Sequence, residues 1–350
     1  MRTLLFHAHG LAGIDFSAMH PDQLAAVEAA AASADLGVVP TIYLRRDRLS
    51  ELEKLLHYYT HLASLGRVPS ILGFAVEGPL LGPQGGIPRA GKWLPTPQEW
   101  MRLAELGMHG LKYVVIAPDA MELTGEIGSN FSFSTLITTF YDNGVRLALG
   151  HFHRQSPDES AIRTRKFIEY LHSQYDSSPH LILTDHLYND MPRNFRHAWR
   201  TASERERRAA ELSPVLTDWS QADLSVLLGP VPATLLDAAM AGQLMPCINF
   251  DGEHVDMAIV AKTVAWLGPF RLIAMTDHTE VLTMAGEALT KDPESGLLLR
   301  DDGVVAAGSS GPESQRANMR AIGMSEQDIQ AVFLDNPLAT IAFQPGRRTP

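Results

Sequence analysis

Cysteine is almost absent from this 350-residue chain, where Cys247 stands alone. A single thiol excludes an intramolecular disulfide, so nothing in the sequence asks for an oxidising compartment. Its place in the apolar run Leu244–Asn249 reads as buried packing rather than as a nucleophile. Long hydrophobic runs are missing too. No window approaches the ~18 apolar residues of a membrane span. Met1–His7 turns polar after Phe6, too early for a secretory leader. The expectation is a cytoplasmic protein. Positive charge is in deficit, 29 Lys and Arg against 40 Asp and Glu for a net −11. That argues against general binding to nucleic acid or to anionic membranes.

What the chain does have is a series of short apolar runs separated by helix-like stretches. The runs Leu4–His9, Val38–Leu44, Ile71–Glu77, Leu111–Ala117, Arg146–His151, Leu181–His186, Leu244–Asn249 and Leu272–Asp277 read as eight strands. They are continuous rather than alternating, as parallel strands buried on both faces are. Asp22–Ala34, Leu49–Ser64, Thr96–Leu106, Pro157–His172 and Pro232–Ala241 carry helical spacing or helix-start signals such as Thr96-Pro97. Strand and helix in steady alternation predict a (β/α)8 barrel. With no internal repeat or low-complexity linker, 1–350 reads as one barrel domain with a C-terminal helical extension around Ser325–Phe333. Gly78–Pro95 and Pro192–Gly229 are long connections that would stand over a site. Gly303–Ser310 reads as a Gly/Ala/Ser loop.

The runs end on one kind of residue. His7 and His9 close the first, and Glu77, His151, His186 and Asp277 close others, with His254 just past a further run. In a barrel of this kind the chemistry sits where the strands end. His7 and His9 share a strand face by their spacing, so two imidazoles can meet one divalent ion. A carboxylate such as Glu77 at the end of an apolar run is expensive to bury unpaired, and a cation resolves that. Imidazole and carboxylate together suit zinc, iron or similar first-row ions. Asp277 is either a further ligand or the general base, and His254 is placed to orient a substrate oxygen.

In this arrangement the sequence resembles the amidohydrolase superfamily, and within it the N-acetylglucosamine-6-phosphate deacetylases. The resemblance rests on His7-Ala8-His9-Gly10, Glu77-Gly78-Pro79, Leu149-Gly150-His151, Thr184-Asp185-His186-Leu187-Tyr188-Asn189-Asp190-Met191-Pro192, Asp251-Gly252-Glu253-His254 and Thr276-Asp277. It implies a metal-dependent hydrolase acting on an amino-sugar amide, with one or two divalent ions. Glu77, His151 and His186 would hold the principal ion. His7 and His9 would hold a second, with Glu77 bridging. Asp277 would be the base and then the acid. His254 would polarise the carbonyl or contact the sugar, and amides near Asn189 and Asp190 would face the substrate's phosphate end. A homodimer belongs to the same implication, with Trp199 or the Pro192–Gly229 connection as its face.

Three departures stand out. Gly85-Gly86-Ile87-Pro88 occupies the place of the family's Gly-Ala-His-Pro, and its phosphate-binding arginine is missing, leaving Arg193 or Arg196 as the replacement. The accessory β-sandwich of the family is also largely lacking. The metal centre could therefore serve another amide, a lactone or a phosphoester, or the barrel could bind a sugar without turning it over.

Overall fold

The structure is a computed structural model and describes residues 3–153, 156–195 and 210–348. Eight parallel strands form one sheet in sequential order. They are β1 (Thr3–Ala8), β2 (Leu36–Tyr43), β3 (Phe74–Glu77), β4 (Leu111–Ile116), β5 (Arg146–Leu149), β6 (Leu183–His186), β7 (Met245–Ile248) and β8 (Ile273–Ala274). The sheet closes on itself. The Thr276 amide donates to the Phe6 carbonyl at 3.0 Å and that of His9 to His278 at 2.7 Å. The barrel expected from the eight apolar runs is therefore present, each strand beginning within a few residues of its expected start.

The helices of the outer ring follow from their local signals. Leu49–Ser64 buries Leu52, Leu55, Leu56, Tyr59 and Leu62, one apolar stripe at helical spacing. Pro97–Glu105 opens on a capping box in which Thr96 and Glu99 satisfy each other's amides. Phe133–Asp142 and Met257–Leu267 complete crossovers for which the sequence reading named no helix. The expected helix at Ser325–Phe333 is shorter, Glu326–Gln330, and continues through a wider turn into Asn336–Ala342.

Side chains alternate across each strand, and this phase positions the site. Leu4, Phe6, Val39, Ala75, Tyr113, Val115, Ala148, Leu183, Met245, Cys247, Ile273 and Met275 form the barrel interior. Val38, Phe74, Val76, Leu147, Leu149, Ile248 and Ala274 face the helices. Continuing the inward phase by two residues at the strand ends gives Glu77, Asp185 and Asp277.

The segment read as a loop at Gly303–Ser310 is in part a strand. Val305–Gly308 (β11) pairs antiparallel with Leu297–Leu299 (β10), which pairs with Thr290–Lys291 (β9). Its small residues hid it, because Val305-Ala306-Ala307-Gly308 has little of the bulk that marks a strand. Tyr43 donates from its hydroxyl to the Ala306 carbonyl, and Arg300 ties the sheet to the 78–95 connection through the Gly85 and Ile87 carbonyls. Within the Pro192–Gly229 connection, Leu224–Leu228 forms a short helix. Arg196, Trp199 and the charged run at 203–208 lie outside the described residues.

Candidate metal centre

At the C-terminal rim the strand ends bring Glu77, His7, His9, His151, His186, Asp277 and His254 together, all buried. Glu77 stands in the middle. Its Oε2 lies 2.9 Å from His7 Nε2 and 3.2 Å from His9 Nε2. Its Oε1 lies 2.6 Å from His151 Nε2 and 3.9 Å from His186 Nε2. The carboxylate thus faces two pairs of imidazoles, one with each oxygen. Asp277 reaches His9 Nε2 with Oδ1 and His254 Nε2 with Oδ2, both at 3.2 Å.

Three of the outward nitrogens are held by the chain. His9 Nδ1 donates to the Thr41 carbonyl at 3.2 Å, and its ring stacks on Tyr43. His7 Nδ1 shares a hydrogen bond with the Tyr113 hydroxyl at 3.3 Å. His254 Nδ1 bonds to Asp251 Oδ2. Partners of this kind fix tautomer and ring orientation and leave the other nitrogen for an ion or substrate. Asp190 belongs to this group. Its Oδ2 lies 3.1 Å from His151 Nδ1 and accepts the Gly86 amide at 3.1 Å, so the side chain supports His151.

Strict alternation would turn His7, His151 and His186 outward, since Phe6, Gly150 and Asp185 hold the inward phase. His7 and His151 instead adopt left-handed backbone, with φ of 63° and 50°, and Asp277 does the same at 45°. Such conformations are uncommon for residues with a Cβ and cluster at functional sites. They let consecutive residues of one strand both face the centre. Gly150 serves the same crowding, because a Cβ there would overlap the Asp185 side chain.

The residue missed in the sequence is Asp185. It is fully buried, with Oδ2 3.1 Å from His151 Nε2 and 3.2 Å from His186 Nε2. The two-residue phase from Leu183 was the available signal, but the strand's last residue, His186, drew the assignment.

The charges of the site are strongly coupled. Burial raises the Glu77 carboxyl, but His7, His151 and His9 hold it well below its usual range. Burial likewise opposes ionisation of Asp277, and the neighbouring rings of His254 and His9 overcome that and lower it. Burial would lower His9, yet Asp277 and Glu77 lift it to about 10. Against the same burial, Asp251 and Asp277 raise His254. His9 Nε2, both Asp185 oxygens, His254 Nε2 and Asp277 Oδ1 are nevertheless buried without a hydrogen-bonding partner. Buried polar atoms are rarely left so. Those of His9, Asp185 and Asp277 fall in two groups of acids and imidazoles that fit divalent cations.

A cavity of about 530 Å³ opens onto this centre. His151, His186, Asp277, His254, Asn189 and Asp190 form its floor, and Lys92, Glu253, Arg300, Asp302 and Val304–Ala306 line its walls. Asn189 is buried, with its amide donating to the His186 carbonyl at 3.0 Å. Arg193 does not line this cavity, contrary to its expected place at the substrate. Its Nη1 donates to the Met191 carbonyl and its guanidinium sits over Phe195. His153, past the end of β5, is only part-buried, and its amide caps Asp119. Cys247 is buried in the barrel, and burial pushes its thiol well up. Gly86 packs so closely on the Val305 carbonyl that any Cβ would overlap it.

Fold and site together define a closed α/β barrel carrying a buried acid–histidine centre at the rim where such barrels do their chemistry. No protein-family model and no curated protein matches the chain. Solved structures do. It shares the fold of N-acetylglucosamine-6-phosphate deacetylase from Pasteurella multocida, with a TM-score of 0.69 and 16% identity over 99% of this chain and 78% of that one. The enzyme of the same name from Mycobacterium smegmatis gives 0.62 and 21% over 99% and 80%. That from Thermotoga maritima gives 0.64 and 13% over 99% and 81%. At these identities the likeness is one of fold.

Proposed function

We propose that the chain is a metal-dependent amidohydrolase, working as one barrel unit, that deacetylates an N-acetylated amino sugar, N-acetylglucosamine 6-phosphate or a relative. The observation that carries this reading is the convergence of Glu77, His7, His9, His151, His186 and Asp277 on shared points beneath an open cavity. Glu77, His151 and His186 would hold a principal ion, zinc or iron, and His7 and His9 would hold a second.

A divalent ion bound there supplies Lewis-acid polarisation of the scissile carbonyl and acidifies water. The protein's own groups do the rest. Asp277, kept ionised in the resting site, accepts a proton from the attacking water and returns it to the leaving amine. His254, oriented by Asp251, presents Nε2–H to the carbonyl oxygen as negative charge develops there. Asn189 contacts the sugar from the cavity floor, and a phosphate end meets Lys92 on the wall.

A second reading keeps the centre and changes the bond. The Gly86–Val305 packing fills the place of the family's Gly-Ala-His-Pro stretch, which favours another amide, a lactone or a phosphoester as substrate. One screen separates the two. Protein loaded with zinc, iron, manganese or cobalt is given N-acetylated amino sugars, with and without phosphate, and acetate release is followed. Release from at least one sugar, abolished by chelation, is expected. Silence on every sugar from protein carrying its metal contradicts the deacetylase reading.

A further inference from the structure

We infer that Asp185 is a direct ligand of the ion held by Glu77, His151 and His186, so that this ion is bound by two carboxylates and two imidazoles. The inference deepens the metal-dependent reading and rests on it.

A buried carboxylate beside histidines can play one of two parts. It can hold the outward nitrogen of a ligand and orient the ring, or it can face the ion beside the inward nitrogen. For His151 the outward position is already filled, because Nδ1 faces Asp190 Oδ2 at 3.1 Å. The inward atom is therefore Nε2, and this is the atom that Asp185 Oδ2 approaches, at 3.1 Å. The same oxygen lies 3.2 Å from His186 Nε2. Glu77 Oε1 approaches the same two nitrogens. The ligand atoms of these four residues lie within 4.8 Å of one another, and all four residues are buried.

With His151 Nδ1 facing Asp190, Nε2 is the nitrogen turned to the shared point. Four atoms of metal-ligating type then converge on one point. A single proton can join one pair of them, whereas a divalent ion satisfies all four together. Neither Asp185 oxygen has a hydrogen-bonding partner, which is unusual for a carboxylate sealed from water. The fold also makes room for this side chain. The inward phase of β6 runs from Leu183 to Asp185, and Gly150 on the neighbouring strand leaves the space that a Cβ would take.

The test uses the intact chain, stripped of metal and titrated with cobalt(II) alone. The parent binds cobalt with a visible spectrum of mixed nitrogen and oxygen ligation. Asp185→Asn, matched in shape, binds this ion at least about 100-fold more weakly, beyond the range typical for losing an outer partner, and its cobalt bands shift. Asp185→Ser, smaller and neutral, gives the same result and keeps the test open should the amide not be accommodated. Cobalt bands identical to the parent's in a folded variant, at whatever affinity, overturn the inference, as does a parent that binds no cobalt. No substrate enters this measurement. Failure to release acetate from any sugar leaves Asp185 as a ligand, and unchanged cobalt bands leave deacetylation standing.

Discussion

The two ends of the barrel both bury charge, and they treat it differently. At the N-terminal end Arg146 points inward at the start of β5, almost wholly buried, with a guanidinium nitrogen donating to the Thr340 carbonyl near the end of the last helix. Burial alone lowers its pKa to about 10. It is a single charge closed over by the chain's own backbone. At the C-terminal end Glu77, Asp185 and Asp277 meet five imidazoles, several of their oxygen and nitrogen atoms have no hydrogen-bonding partner, and a cavity leads in. One end uses polar atoms to finish a fold. The other leaves them for something that arrives.

Breaking the rim gives the largest expected effect. His151→Ala or His186→Ala removes the principal ion and with it acetate release; metal analysis showing both variants fully loaded would sink the ligand set. Next comes Asp277→Asn, which loses about 10²–10⁴-fold in kcat while cobalt stays at the Glu77 side of the centre. A variant within threefold of the parent would remove Asp277 from proton transfer.

Proton release sharpens the comparison. In the metal-free site the raised His9 and His151 hold protons that an ion displaces. Calorimetry of metal binding in buffers of different ionisation enthalpy should therefore show protons released near pH 7, with affinity rising as pH rises. The same shift fixes a sign for stability. His9, raised to about 10, contributes stability to the metal-free form that is full below about pH 6.5 and is lost as pH climbs through 10. Metal-free protein that grows more stable across that window would contradict the assignment.

Gly86→Ala forces the Val305 carbonyl away and loosens the wall of the cavity, so KM rises severalfold with kcat changed less. The smallest effect belongs to the other end. Arg146→Met should leave activity and metal content alone and shift stability by no more than about 1–2 kcal/mol, because an unpaired buried cation adds little over an apolar side chain of similar size. Lost metal in that variant would erase the distinction between the two ends.

The barrel was legible because its strands are unbroken apolar runs, and the candidate site because most of its acids and histidines close those runs. Asp185 escaped notice although the parity of Leu183 points to it, since His186 already fitted the strand end. The left-handed turns at His7, His151 and Asp277 are tertiary facts that no spacing rule carries. The sheet over the mouth was hidden by Val305–Gly308, whose small residues read as a loop until paired with Leu297–Leu299. Arg193 was expected at the substrate by position in the chain, and its side chain turns instead to Met191 and Phe195.

The most direct test is anomalous diffraction from crystals grown with zinc or manganese. A strong peak is expected bounded by Glu77, Asp185, His151 and His186, with a second between His7, His9 and Asp277 at higher metal concentration. A featureless map at the rim, with these acids and imidazoles bonded only to one another, would contradict it.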